Sequence, residues 1–97
     1  KVIFVDITAD WCITCKANKI GVLQQEPVYS LLQRADILRM RGDWTLPSAH
    51  VAEYLRAYRR FAVPFNIVYG PGAPQGIPLP TLLTADAVIT AIEQAGG

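Results

Sequence analysis

The residues best suited to chemistry are Cys12 and Cys15, the only two cysteines, which lie three positions apart. They follow an apolar, β-branched segment, residues 2–7, and precede a segment with helical spacing. A thiol at the start of a helix meets unpaired backbone N–H groups and the positive end of the helix dipole. Both favour the thiolate, which is the attacking species in disulfide exchange. The pattern therefore predicts a redox-active pair.

The two cysteines are predicted to have different roles. Cys12 should be the nucleophile, because it lies nearer the helix N-terminus and is expected to be the more exposed thiol. Cys15, one turn further on, should resolve the mixed disulfide. The alternatives are two inert core thiols or half of a zinc site. A zinc site needs four ligands, and only His50 and acids remain, so no metal is predicted. His50 is expected to face solvent on a helix.

Composition limits the function classes. The chain has 97 residues, 52% of them hydrophobic, and is predicted to be a single domain over residues 1–97. A net charge of +1 gives no basic surface for binding nucleic acid, and the cluster Arg56, Arg59 and Arg60 is predicted to be the solvated end of a helix.

No apolar run reaches the roughly 20 residues of a membrane span, so no direct membrane insertion of this segment is predicted. Because the sequence begins inside a strand-like segment, we expect a domain cut from a longer protein. No cofactor is predicted.

The elements that must position the cysteines follow from periodicity and turn residues. Strands are predicted at residues 2–7, 36–41, 63–69 and 77–79. The last should be an edge strand because prolines flank it, and residues 70–76 should form the turn before it. Helices are predicted at residues 12–25 and after Pro27, Pro47 and Thr84, the last being an N-cap. The first should turn Ile13, Ala17, Ile20 and Leu23 inward. The order βα(α)βαββα predicts an α/β fold whose first two strands are parallel.

Three separated features resemble the thioredoxin superfamily across essentially the whole chain. These are the Trp-Cys-x-x-Cys-Lys motif at residues 11–16, Asp6 six residues before Cys12, and Val63-Pro64 at the head of the third strand. The resemblance implies the thioredoxin fold, with a four-stranded mixed sheet flanked by helices. It also implies that Asp6 is a buried acid beneath the cysteines, which accepts the proton of Cys15. Pro64 would be a cis-proline facing the disulfide, with the Val63 backbone alongside.

Within the superfamily, three stretches look most like the C-terminal periplasmic domain of DsbD-type thiol:disulfide interchange proteins. They lie at residues 9–12, 42–45 and 63–69, and residues 79–84 agree with them. Such domains take electrons from a membrane-embedded cysteine pair and pass them to partner thiol domains. The resemblance implies a periplasmic location, as a domain of a longer protein anchored in the inner membrane, with the cytoplasm as the alternative. Two residues depart from relatives: Lys19 stands where many carry an acid, and Phe65 follows Pro64 where thioredoxins usually have threonine.

The remaining site candidates have competing interpretations. Asp6 could instead be a structural acid paired with Arg39 or Arg41. Lys16 and Lys19 either support a thiolate or extend into solvent, and Lys19 should share the face of the cysteines. Trp11 is expected to be half core and half docking surface. Trp44 is expected to pack below the site.

Three functions remain open at this point. The leading one is a dithiol relay, and Ile13-Thr14 between the cysteines favours a reducing rather than an oxidising pair, because neither residue adds positive charge. The second is a free-standing thioredoxin-like protein disulfide reductase. The third is a binding module whose cysteines are merely structural. Turnover of a small disulfide would separate the third function from the other two.

Overall fold

The computed structural model describes residues 1–45, 49–58 and 63–96. The strands are β1 (Val2–Thr8), β2 (Ile37–Asp43), β3 (Phe65–Gly70) and β4 (Ala73–Pro78). The helices are α1 (Ile13–Asn18), α2 (Val28–Leu32), α3 (Ala49–Ala57) and α4 (Ala85–Ala95), and a π-helical segment (Lys19–Leu23) continues α1. The predicted element order is confirmed. The start of the third helix at Pro47, and also Arg59 and Arg60, lie outside the described residues.

The strands form one mixed sheet in the order β2-β1-β3-β4. β1 pairs in parallel with β2 and antiparallel with β3, and β3 pairs antiparallel with β4. A parallel pair needs a crossover connection, which α1, the π segment and α2 provide. β1 therefore lies inside the sheet, and the cysteines follow directly from its carboxyl end.

The core has two parts because successive side chains of a strand point to opposite faces of the sheet. Phe4 of β1 and Val68 of β3 pack with α2 and α4 on one face. Ile7 and Phe65 pack with Leu55 of α3 on the other. Val28 of α2 and Val88 of α4 belong to the first of these clusters. The Thr84 hydroxyl accepts a hydrogen bond from the Ala87 N–H, which confirms the predicted N-cap.

The predicted inward stripe of the first helix is wrong. Ile13 is 82% exposed and Ile20 62% exposed, and Ala17 is also exposed, although Leu23 is half-buried. Cys15 and Asn18 occupy the buried side instead. The Asn18 amide donates to the Thr81 carbonyl (2.9 Å) and its oxygen accepts from the Leu83 N–H (3.0 Å). Because these bonds satisfy a buried amide, the helix turns a polar residue inward, which hydrophobic periodicity cannot detect.

The last strand begins earlier than predicted. β4 starts at Ala73 and pairs with Gly70, so only Pro71 and Gly72 remain for the turn that was predicted to span residues 70–76. β4 is an edge strand, as expected, and this explains why it tolerates prolines. Within the described ranges, no helix is long and apolar enough to cross a membrane.

Candidate functional site

The cysteines lie at the junction between β1 and α1. Cys12 is the N-cap of α1, with an extended backbone (φ −88°, ψ 107°), and its N–H donates to the Ala9 carbonyl (3.2 Å). The Cys12 sulfur accepts a hydrogen bond from the Cys15 N–H at 3.1 Å. The two sulfurs are joined in a disulfide. An N-cap sulfur that receives a backbone N–H is placed to be stabilised as a thiolate when the disulfide opens.

One expectation about the pair is corrected. Cys12 is 5% exposed and Cys15 is 7% exposed, so Cys12 is not the more accessible residue. Both pack with Ala9 and with the partly buried Val63. This packing shields Cys12, at the N-cap, from solvent as fully as it shields Cys15, in the first turn of α1. The difference between the cysteines is therefore the N-cap position of Cys12 and not its exposure.

Asp6 lies on β1, shares the face of Phe4, and lines a cavity together with Cys15. Its Oδ1 accepts a hydrogen bond from the side-chain amide of Asn66 at 2.9 Å. Burial raises the pKa of Asp6 above its ordinary value, and the Asn66 hydrogen bond and the charges of Arg41 and Lys19 oppose that rise. The salt bridge found among the described residues joins Arg34 and Asp36. Asp6 makes no ion pair with any described residue. The alternative of a structural pair with Arg39 or Arg41 is not observed.

A cavity of about 350 Å³ connects Asp6 with Cys15. It lies between the sheet and the segment formed by α1, the π helix and α2. Its charged lining consists of Asp6, Asp10, Lys16, Lys19, Arg39 and Arg41. Cys15 lines the cavity and Cys12 does not. Lys19 therefore faces Asp6 and Cys15, and its charge acts on Asp6. Cys15, and not Cys12, therefore shares this space with the Asp6 carboxylate.

The segment that leads into β3 contacts the disulfide. Val63 packs against the cluster of Ala9, Cys12 and Cys15. Pro64 is buried, and the Val63–Pro64 peptide bond is cis, which is the conformation that the resemblance implies. The Glu26–Pro27 bond is also cis, which the sequence did not indicate.

Residues 43–45, at the end of β2 and just after it, form hydrogen bonds that reach Asp10 and Trp11. The Asp43 carboxylate accepts from the Thr45 N–H (2.8 Å) and hydroxyl (2.5 Å), and these bonds lower the pKa of Asp43. The Thr45 hydroxyl oxygen in turn accepts from the Asp10 N–H (2.9 Å), and the Thr45 carbonyl accepts from the Trp11 indole (3.2 Å). We call this chain of bonds the 43–45 clamp. It fixes the backbone immediately before Cys12.

The remaining candidates are distributed as follows. Trp11 is 59% exposed, and its indole is bound to the Thr45 carbonyl. Trp44 packs against the cluster around Leu55, which confirms its packing role. Lys16 and His50 are exposed, as expected of His50. In the part of the chain that the structure describes, no three His, Cys, Asp or Glu residues are grouped to hold a metal ion.

Sequence reasoning missed two contributors to the site. Asn66 lies within the stretch 63–69, and a polar residue in an apolar strand is a signal of a buried hydrogen-bond partner. Thr45 lies within the stretch 42–45, where the sequence indicates no role for it. Its contacts with Asp10 and Trp11 join residues more than 30 positions apart, and local pattern does not predict such contacts.

Comparisons with known proteins agree with this geometry. A family model described as thioredoxin-like matches residues 1–71. The C-terminal domain of DsbD from Neisseria meningitidis is 27% identical, with TM-scores of 0.72 for its reduced form and 0.73 for its oxidised form. These matches cover 98% of this chain and 81% and 80% of those chains. A thioredoxin from Thermus thermophilus (20% identity, TM-score 0.69, 97% of this chain and 72% of that one) shows the fold alone. A comparison with curated protein sequences finds no significant match.

Proposed function

The chain belongs to the thioredoxin-like family and is a thiol–disulfide oxidoreductase, and from that premise we propose that it relays electrons as a DsbD C-terminal domain does. The observation that carries the proposal is the Cys12–Cys15 disulfide at the start of α1, with the Cys12 sulfur hydrogen-bonded to the Cys15 N–H. The similarity to the Neisseria DsbD domain, which extends over 98% of this chain, supports the relay over other roles of the family.

The proposed reaction has two exchange steps. In the reduced protein, the Cys12 thiolate attacks one sulfur of the partner's disulfide, and the partner's second sulfur leaves as a thiolate. Cys15 then gives its proton to Asp6, and its thiolate attacks the Cys12 sulfur. The Cys12–Cys15 disulfide forms and the partner's other sulfur leaves as a thiolate. Two electrons have passed to the partner, and no cofactor takes part.

The surroundings of the cysteines support a reducing pair. Neither Ile13 nor Thr14 adds a positive charge between the cysteines, so the N-cap hydrogen bond and the helix dipole provide the stabilisation of the thiolate there. A less stabilised thiolate makes the reduced form a better donor. The exposed side chains of Trp11 and Ile13 flank Cys12 and offer apolar contact for a protein partner. Val63, packed on the disulfide, is placed to meet that partner's chain.

The proposed donor is a membrane-embedded cysteine pair, and the proposed acceptors are partner thiol domains. The proposed location is the periplasm, within a membrane-anchored protein. A free-standing thioredoxin-like reductase is the second candidate, since the thioredoxin of Thermus thermophilus shares the fold. The two candidates differ in the protein that reduces the Cys12–Cys15 disulfide.

The experiment therefore measures which protein reduces the Cys12–Cys15 disulfide. The purified oxidised protein is mixed either with NADPH and a soluble thioredoxin reductase, or with membrane vesicles that contain a reduced DsbD-type membrane domain. Free thiols are counted by alkylation and intact mass. The relay predicts rapid reduction by the vesicles and slow reduction by the soluble enzyme, and vesicles whose membrane cysteines are changed to serine are the control. Efficient reduction by the soluble enzyme alone would favour the free-standing reductase.

A further inference from the structure

A buried amide lies opposite Asp6 in the sheet. Asn66 of β3 is 2% exposed and is the cross-strand partner of Asp6. Directly opposed side chains of an antiparallel pair lie on the same face of the sheet. The Asn66 side-chain N–H donates to the Asp6 carboxylate at 2.9 Å, so the partner of this buried amide is an acid that lines the same cavity as Cys15.

We propose that Asn66 is a positioning residue that holds the Asp6 carboxylate toward the cavity, in the orientation from which it accepts the proton of Cys15. This inference rests on the proposed function, because it concerns the second exchange step. In that step the Cys15 S–H proton moves to the Asp6 carboxylate, and the resulting thiolate displaces the partner's sulfur from Cys12. Asn66 itself exchanges no proton and does not touch the reacting sulfurs.

The geometry favours this role over simple packing. A carboxylate has two oxygens, and an amide bound to Oδ1 limits how the group can rotate about its last torsion. Asp6 lines the cavity with Cys15, so fixing the carboxylate orients its remaining acceptor sites within that space. A partner that only filled volume at position 66 would be apolar, as Val68 is on the same face. An amide there is costly unless its hydrogen bond is made.

The hydrogen bond also keeps Asp6 available as an acceptor. Burial favours the protonated acid, whereas the Asn66 N–H, Arg41 and Lys19 favour the carboxylate. The titratable or charged groups that share the cavity with Asp6 come from α1, the π segment, α2, β2 and the turn after β1. They are Asp10, Cys15, Lys16, Lys19, Tyr29, Arg39 and Arg41. Asn66 differs from all of them because it makes a direct side-chain hydrogen bond to the carboxylate.

The test is the pH profile of the second exchange step in Asn66→Leu. Leucine is close to asparagine in size but has no donor. Reduced protein is mixed with oxidised glutathione, and the two thiol releases are followed separately by rapid quench and mass. We expect the first release, by Cys12, to be unchanged at each pH. The second should slow about tenfold at pH 7, the effect of losing one hydrogen bond to a charged group, and its profile should move to higher pH.

Two further variants separate positioning from structure. Asn18→Ala removes an equally buried amide that binds Thr81 and Leu83, so it should weaken the fold without moving the profile. In an Asp6→Asn background, Asn66→Leu should have no further effect on the second step. If Asn66→Leu does not fold, Asn66→Ala carries the same measurement.

An unmoved profile in Asn66→Leu, or an equal shift in Asn18→Ala, would overturn the inference. Failure of the two-step exchange on which the inference rests looks different, because the wild-type protein would then release no thiol from glutathione disulfide at either step, whereas failure of the relay alone would appear only in the reduction experiment with membrane vesicles. A normal wild-type reaction with an unmoved variant profile rejects only the role of Asn66.

Discussion

Asp6 is largely buried, and burial destabilises the charged form of its carboxyl group. The stability of the domain therefore depends on pH. Because the pKa of Asp6 is raised in the folded state, the folded protein binds more protons than the unfolded chain above the ordinary value of 3.8. Stability should therefore fall as pH rises from that value through the folded-state pKa, and then level off. An acid with a lowered pKa would give the opposite slope.

The variant Asp6→Asn should remove this slope. At pH 7 it should be as stable as the wild-type protein or more stable, because an amide carries no buried charge and can still accept from Asn66. Urea unfolding of both oxidised proteins between pH 4 and pH 8 measures the effect. Asp86→Asn is the control, since that acid is exposed at the start of α4. A loss of stability in Asp6→Asn at every pH would instead make Asp6 a structural residue.

Among the segments between elements, the 43–45 clamp controls the backbone before Cys12. Thr45→Val keeps the branched shape but loses the hydroxyl that joins Asp43 to the Asp10 N–H. Because two exposed hydrogen bonds are lost, we expect a loss of about 1–2 kcal/mol in stability. We also expect faster hydrogen exchange at the Asp10 amide and a slower first attack by Cys12. Thr90→Val, at an exposed position of α4, should change none of these. Unchanged exchange at Asp10 would show that the clamp does not restrain the motif.

The edge strand β4 depends on a glycine. Gly76 has φ +91°, a conformation that side-chain-bearing residues rarely adopt, and a Cβ there would approach Ile67 Cδ1 to 2.5 Å and Tyr69 Cε1 to 2.7 Å. Gly76→Ala should therefore destabilise the domain by about 1–3 kcal/mol. Gly21→Ala is a matched control, because nothing lies within 4 Å of the added carbon. Thermal unfolding of the two variants compares them, and equal stability would remove the packing argument.

The differences between expectation and structure concern features that hydrophobic pattern does not encode. The strand β1 was predicted well because its alternate residues serve two apolar clusters. The buried face of α1 was predicted wrongly. Its buried side carries Asn18, which is hydrogen-bonded to Thr81 and Leu83 more than 60 positions away. The early start of β4 was missed because Pro74 and Gly76 indicate a turn, yet an edge strand accepts them.

At the scale of the whole molecule, the sheet order brings three distant segments to the disulfide. β1 carries Asp6 and leads to the cysteines. β3 carries Asn66 and follows Val63, and the end of β2 leads into the clamp. Cys12 and Cys15 could be recognised from spacing alone because their chemistry is local. Asn66 and Thr45 could not be recognised from spacing, because their contacts form only when β3 and β2 pair with β1 in the folded sheet.

The central claim is that Cys12 attacks and Cys15 resolves, and single-cysteine variants test it most directly. Reduced Cys15→Ser and Cys12→Ser are each mixed with a disulfide-linked peptide, and adducts are measured by intact mass without reductant. Because only Cys12 receives the N-cap hydrogen bond, Cys15→Ser should hold a stable mixed disulfide, and Cys12→Ser should form little. The wild-type protein should hold none and return to the internal disulfide. Equal adducts in the two variants, or a stable adduct on the wild-type protein, would contradict the account.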